Sequence, residues 1–175
     1  MKNLETQNIE SALEKHASLR AEIEEIRRLS DDSTTRLAVL ESTCDLGDAG
    51  ALGEVGRTQI LVALLPRRLA AKEQALAGTE PEILKEVHNF IETTLAPKIR
   101  NLRQKAEGKM KTELKPIFPN AETLNAAIFS SALISGMEKL ANLVTIQAQP
   151  FDGVIKYARR TLDAFEQAKT FEAKI

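Results

Sequence analysis

The stretch GDAGALGEVGRT, residues 47–58, contains the residue types that hold phosphate: closely spaced glycines, a cation at Arg57 and a hydroxyl at Thr58. From Ala51 to Thr58 it nearly spells a P-loop. Three features argue against that chemistry. Arg57 stands where a flexible lysine ammonium must reach the phosphates, and a planar guanidinium is not its equivalent. The preceding residues have helical periodicity where a buried strand is required, and no later apolar strand ends in a magnesium-binding aspartate. A dinucleotide fingerprint is also missing, because glycines spaced by three contain no G-x-G.

Other catalytic sets fare no better. Cys44 and His16 fall on one helical seam about 42 Å apart at 1.5 Å per residue, too far for a nucleophile and its base. Neither His16 nor His88 has a Glu three residues before it; Leu13 and Lys85 stand there, so a helical di-metal site is not expected. Asp45, Gly47 and Ala49 do not alternate oxygen ligands as a calcium loop must. Glu24 with Glu25, and Asp31 with Asp32, are adjacent on a helix and point apart, which suits a solvated surface rather than an acid and base. The chain therefore reads as a non-enzyme with no metal and no cofactor. Tyr157, Arg159 and Arg160 are the polar candidates for a small-molecule site, and they read as one helix edge.

Lys98, Arg100, Arg103, Lys105, Lys109, Lys111 and Lys115 form a basic stretch opposed only by Glu107 and Glu113. At about 100° per residue, Lys98, Lys105 and Lys109 share one stripe, with Arg100, Lys111 and Lys115 on another side. Such a helix can pack while its long cations snorkel to water, or it can meet phosphates in a salt-sensitive, sequence-independent way. No aromatic residues interleave to stack on bases. Nucleic acid is accordingly the alternative partner, behind protein.

The elements that position these groups are helical. Trp is absent and aromatic residues make up 4% of the chain, leaving little material for sheets, and no run of alternating polarity survives inspection. Between residues 1 and 46, Ile9, Ala12, His16, Leu19, Ile23, Ile26, Ser30, Ser33, Leu37, Leu40 and Cys44 recur at alternating spacings of three and four, a heptad seam with polar layers at the two serines. Ala51, Val55, Thr58, Val62, Leu65, Leu69, Lys72 and Leu76 continue the spacing after the glycines. If the chain turns between Gly47 and Asp48, the residue numbers of facing positions sum to 95, so Leu40 meets Val55, Ile26 meets Leu69 and Cys44 meets Ala51. Gly47 suits the left-handed position after a helix and Asp48 suits the cap of the next. An antiparallel coiled-coil hairpin over residues 1–78, on the order of 40 Å long at 1.5 Å per residue, follows. It places Gly50, Gly53 and Gly56 on the outer face of the second arm near the tip, as a docking strip for a partner backbone. Pro66 should kink or restart that arm, and Gly78 should end it.

Residues 79–175 read as a small helical bundle. TEPE, from Thr79 to Glu82, looks like a helix start, and Pro97 should bend the helix that follows. Pro116 and Pro119 mark a connector, Asn120 a cap, 121–144 one core helix, and Asp152 the cap of a last helix. Small residues at Ala127, Ser131, Ser135 and Gly136 suit close packing. The first 97 residues carry 11 Lys and Arg against 17 Asp and Glu, while the remainder carries 13 against 8, an asymmetry that can serve assembly or an anionic partner. The lone Cys44 and the lack of a signal-like or membrane-length apolar run point to a cytoplasmic protein without membrane insertion. The expected role is structural or adaptor-like, through a protein partner or homo-oligomer. If the register is right, Ala51→Cys will form an intramolecular disulfide with Cys44 under mild oxidation; two thiols still reactive in the folded, oxidised monomer would count against it.

Overall fold

The computed structural model describes residues 5–45, 48–129, 131–145 and 153–173, and no strand occurs among them. The all-α expectation holds. Helix α1 spans Gln7–Thr43 and α2 spans Ala49–Phe90; a π-turn at Ile91–Leu95 leads into α3, Ala96–Leu114, and then come α4, Ala121–Phe129, α5, Ala132–Thr145, and α6, Val154–Glu172. The chain divides into two compact units: Ser11–Pro81, and Met1–Glu10 with Glu82–Ile175.

Within Ser11–Pro81 the two long helices pack against each other as the hairpin. From His16 to Cys44 on the first arm and from Ala51 to Leu76 on the second, every seam position assigned from the heptads is buried or half-buried. Polar pairs flank the seam. Lys72 Nζ lies 2.6 Å from Glu22 Oε2, Arg27 Nη2 donates to Glu73 Oε1 at 2.8 Å, Gln59 Nε2 donates to Glu41 Oε1 at 3.2 Å, and Arg36 pairs with Glu54. Their residue numbers sum to between 90 and 100, straddling 95 as residues beside such a seam must. The hydrogen bond from Lys72, and then its charge, hold the Glu22 carboxyl below its ordinary range. Exposed pairs of this kind are screened by solvent and contribute little. Burying Ile23, Ile26 or Leu65 contributes about 1.5–3 kcal/mol each, so the apolar seam holds the arms together.

Helix α1 continues through LSDDSTTRL, as the shared register implied. Thr34 and Thr35 donate their hydroxyls to the carbonyls of Ser30 and Asp31, at 2.8 and 3.0 Å, and so bond within the helix rather than interrupt it. At the turn, Asp48 Oδ1 accepts from the backbone N–H groups of Gly50 and Ala51, at 2.8 and 3.3 Å, the expected cap. Gly47 lies outside the described residues.

The second arm corrects the reading of its breakers. Helix α2 neither restarts after Leu65 nor stops at Gly78; it runs through both Pro66 and Pro81. Thr79, taken for a cap, is 2% exposed and donates its hydroxyl to the Leu76 carbonyl at 2.7 Å. The seam spacing simply carries on through Thr79, Ile83, Val87 and Phe90, all buried. An internal glycine costs about 1 kcal/mol and a proline about 3; burying three large apolar side chains at about 1.5–3 kcal/mol each outweighs one of each.

In the other unit, Asn8 Nδ2 donates to Glu86 Oε2 at 3.2 Å, so the start of α1 lies beside the end of α2 there. Ile9 is fully buried there, as expected. The irregularity assigned to Pro97 takes the form of the π-turn just ahead of it, where the Ala96 N–H donates to the Ile91 carbonyl. Such a turn lets a helix absorb the crowding of a proline ring. Asn120 caps α4 as anticipated, its Oδ1 accepting from the Glu122 N–H at 2.8 Å. The single helix expected over 121–144 is two helices. Ser131 Oγ accepts from the Ile134 N–H at 3.3 Å and starts α5 afresh, the local competition that serine offers a continuous helix. Asp152 lies outside the described residues; α6 opens instead at Gly153, whose φ of 83° is strained for any residue with a Cβ. Phe165 sits at the centre of this core, fully buried, with the Phe90 ring edge-on at 5.2 Å between centroids. A Cβ on Gly136 would lie 2.8 Å from the Phe171 ring, so the small residue there does permit close approach of α5 and α6.

Two substitutions test the seam and its correction. Ile23→Ala, at a position 2% exposed, should destabilise by about 2–5 kcal/mol in denaturant unfolding. Gly78→Ala should stabilise by roughly 0.5–1 kcal/mol, because the helix passes through it into open space; a loss of stability would instead place a left-handed helix end there.

Candidate functional site

The hairpin tip carries the first candidate. A cavity of about 540 Å³ opens beside the start of α2, lined by Arg36, Gly50, Gly53, Glu54, Arg57 and Leu61 among others. It therefore coincides with the glycine-rich stretch. Its chemistry is not that of a phosphate cradle, since the amides of Gly50 and Ala51 are already engaged by the Asp48 carboxylate. Glu54 pairs with Arg36 across the arms, while Arg57 is exposed and makes no ion pair among the described residues.

The three tip glycines are not alike. A Cβ on Gly50 would meet Asp48 Oδ1 at 3.1 Å, so Gly50 lies against the cap. At Gly53 and Gly56 nothing lies within 4 Å of a Cβ position. They belong to a longer stripe on the side of α2 turned away from the seam: Ala49, Gly53, Gly56, Ile60, Ala63 and Arg67, again at spacings of four and three. Ile60 is 59% exposed, and Leu52, Leu61 and Leu64 beside it are 43%, 49% and 52% exposed. The sequence reading found the glycines and missed these side chains. Their signal was a second 3–4 periodicity half a turn from the seam, hidden because the first one accounted for the helix.

The basic stretch divides into used and unused cations. Lys98 Nζ lies 2.5 Å from Glu172 Oε2 and 5.8 Å from the Phe165 ring centroid. Arg103 bonds Glu107 at 2.8 Å and reaches Glu138 at 3.5 Å; the Glu107 hydrogen bond holds its guanidinium firmly protonated. Lys109 also has an interaction partner. Ile99, Leu102 and Ala106 are buried, so α3 is a packed helix with snorkelling cations on its flanks. Arg100, Lys111 and Lys115 are exposed and without an ion pair among the described residues, and Lys105, also exposed, lies near enough to the Glu172 carboxylate to act on it through its charge.

The remaining candidates do not converge. Cys44 is half-buried just beyond α1. His16 is 9% exposed on the seam and has no hydrogen-bond partner among the described residues. His88 meets Tyr157 edge-on at 6.2 Å between ring centroids. Burial pushes the Tyr157 phenol up, while Arg159 and Arg160 are exposed on α6. Among the described residues no three His, Cys, Asp or Glu side chains gather to hold a metal, and no helix is long and apolar enough to cross a membrane.

Compared with known proteins, the chain matches no family model, no curated protein and no solved structure. The surfaces themselves must carry the functional reading.

The Lys98–Glu172 contact makes a pH prediction. The Lys98 hydrogen bond, and then its charge, lower the Glu172 pKa. The stabilisation this supplies is present above the ordinary carboxylate pKa and is lost as pH falls through the depressed folded value. Lys98→Met keeps the stem over Phe165 and removes the charge; the Glu172 carboxyl titration followed by NMR should then move up toward its ordinary range. An unmoved midpoint would mean that the ion pair does not form in solution.

Proposed function

We propose that this protein is a non-enzymatic helical scaffold that acts by presenting the outer face of α2, at the hairpin tip, to another helix. The observation that supports this is one continuous apolar strip. Leu52, Ile60 and Leu64 stand exposed beside Gly53 and Gly56, and the exposed Arg57 separates them from Leu61 at one border of the strip. Exposed apolar surface that is contiguous and rimmed by polar residues marks an interaction site more often than accident. The open glycines sharpen this, because a partner backbone can come close where no Cβ stands. Helix-in-groove recognition uses anchors at this spacing. A reducing compartment suits the single thiol.

The paired substitution Ile60→Glu with Leu64→Glu should abolish association while leaving helicity and thermal unfolding essentially unchanged, since both side chains are exposed. Retention of the same bound proteins by the double variant, measured by affinity capture, would reject this face.

A second reading rests on Arg100 and Lys111 on the exposed side of α3 and Lys115 just beyond its end, all exposed cations. Such a face would bind a mixed-sequence DNA duplex weakly and lose it with rising salt. Arg100→Glu combined with Lys111→Glu and Lys115→Glu should then eliminate retention at low salt; an unaltered salt profile would exclude this face.

A further inference from the structure

The stripe on α2 is self-complementary, and we propose that its partner is a second copy of this chain, docked antiparallel about a two-fold axis near residue 58. The inference rests on the interaction-face reading above and names its occupant.

The spacing is the first argument. Ala49, Gly53, Gly56, Ile60, Ala63 and Arg67 are separated by four, three, four, three and four residues, a series that reads the same in both directions. Turned end for end, it lays Ala49 on Arg67, Gly53 on Ala63 and Gly56 on Ile60, each pair of numbers summing to 116. A two-fold interface needs one patch that complements itself, and this one does so by size. The large Ile60 falls on the open Gly56 of the other copy, and the small Gly53 falls on the small Ala63.

The cavity is the second argument. Its lining runs from Gly50 and Gly53 through Arg57 to Leu61, with its tip-side end at the glycines, while Leu64 projects, 52% exposed, beyond its far end. The same two-fold brings Leu64 of each copy to the mouth of the other's cavity at Gly53, with Leu61 against the aliphatic stem of Arg57. A hollow and a projection on one surface thus become two matched contacts.

Charge is the third. The tip end of the stripe carries Asp48 and the far end carries Arg67 and Arg68, all exposed. Arg67 makes no ion pair among the described residues. Antiparallel docking sets the two arginines against the carboxylate at both ends of the interface. A parallel pairing would instead set arginine against arginine and aspartate against aspartate, which is unfavourable.

Light scattering of the full chain should give twice its 19.3 kDa mass. Leu64→Glu and Gly53→Leu, which respectively charge the projection and fill the hollow, should each return it to the monomer mass with the circular dichroism spectrum unchanged. Register is read by cross-linking in a Cys44→Ser background. Mixed Gly53→Cys and Ala63→Cys chains should form the 53–63 disulfide, whereas either variant alone should not, because its thiols lie about 15 Å apart along the axis at 1.5 Å per residue. A full chain that is monomeric at all accessible concentrations overturns the second copy as partner; if Ile60→Glu with Leu64→Glu still abolishes capture of another protein, the interaction face itself survives. A dimer indifferent to both Leu64→Glu and Gly53→Leu overturns the inference and the face together. Cross-linking of position 53 to position 53 overturns the antiparallel arrangement alone.

Discussion

The apolar seam between α1 and α2 is the constraint on which the rest of the protein depends. A helix pair must bury one stripe from each partner, and the turn at Asp48 leaves a short-loop hairpin essentially one register. That register decides which side chains are spent on holding the arms together and which are left for other use. Seam positions take Ile23, Ile26 and Leu65 into the interior, and flanking positions take the ion pairs. The far side of α2 is then released from any structural duty, which is why its exposed Ile60 and Leu64 call for an explanation that the fold does not supply.

The seam also explains how α2 tolerates residues that ordinarily end helices. Pro66 and Gly78 are exposed and off the buried stripe, so neither removes an apolar contact. Polar seam residues are handled locally: Thr58 and Thr79 donate their hydroxyls to their own helix, to Glu54 and Leu76 carbonyls at 2.9 and 2.7 Å. Buried hydroxyls satisfied in this way cost little. The half-buried Ser30 and Ser33 weaken the middle of the hairpin without breaking it.

In the bundle the governing contact is different. Phe165 is enclosed by Phe90 at its edge and by the ammonium groups of Lys98 and Lys169, 5.8 and 4.6 Å from its centroid. Two cations thus meet one aromatic ring while pairing with Glu172 and Glu166. This arrangement draws Lys98 into the packing of α6 and away from any external anion. The positive charge available to a partner is consequently concentrated on the opposite side of α3.

What the sequence determined by itself has a short period: the all-helical class, the seam residues, the hairpin register, the caps at Asp48 and Asn120 and the open glycines Gly53 and Gly56. Those depend on spacings of three and four residues and on hydrogen bonds between near neighbours, which a linear string displays. The tertiary structure alone decided that α2 runs past Gly78 and Pro81, since burial of Ile83, Val87 and Phe90 had to be weighed against local helix-breaking terms. It likewise decided which basic residues are neutralised, because Glu138 and Glu172 lie 35 and 74 residues from their cations. The exposed stripe on α2 stood between these cases. Its residues were legible as a second periodicity, but only the pairing of α1 against the opposite side showed that no other part of the hairpin covers it.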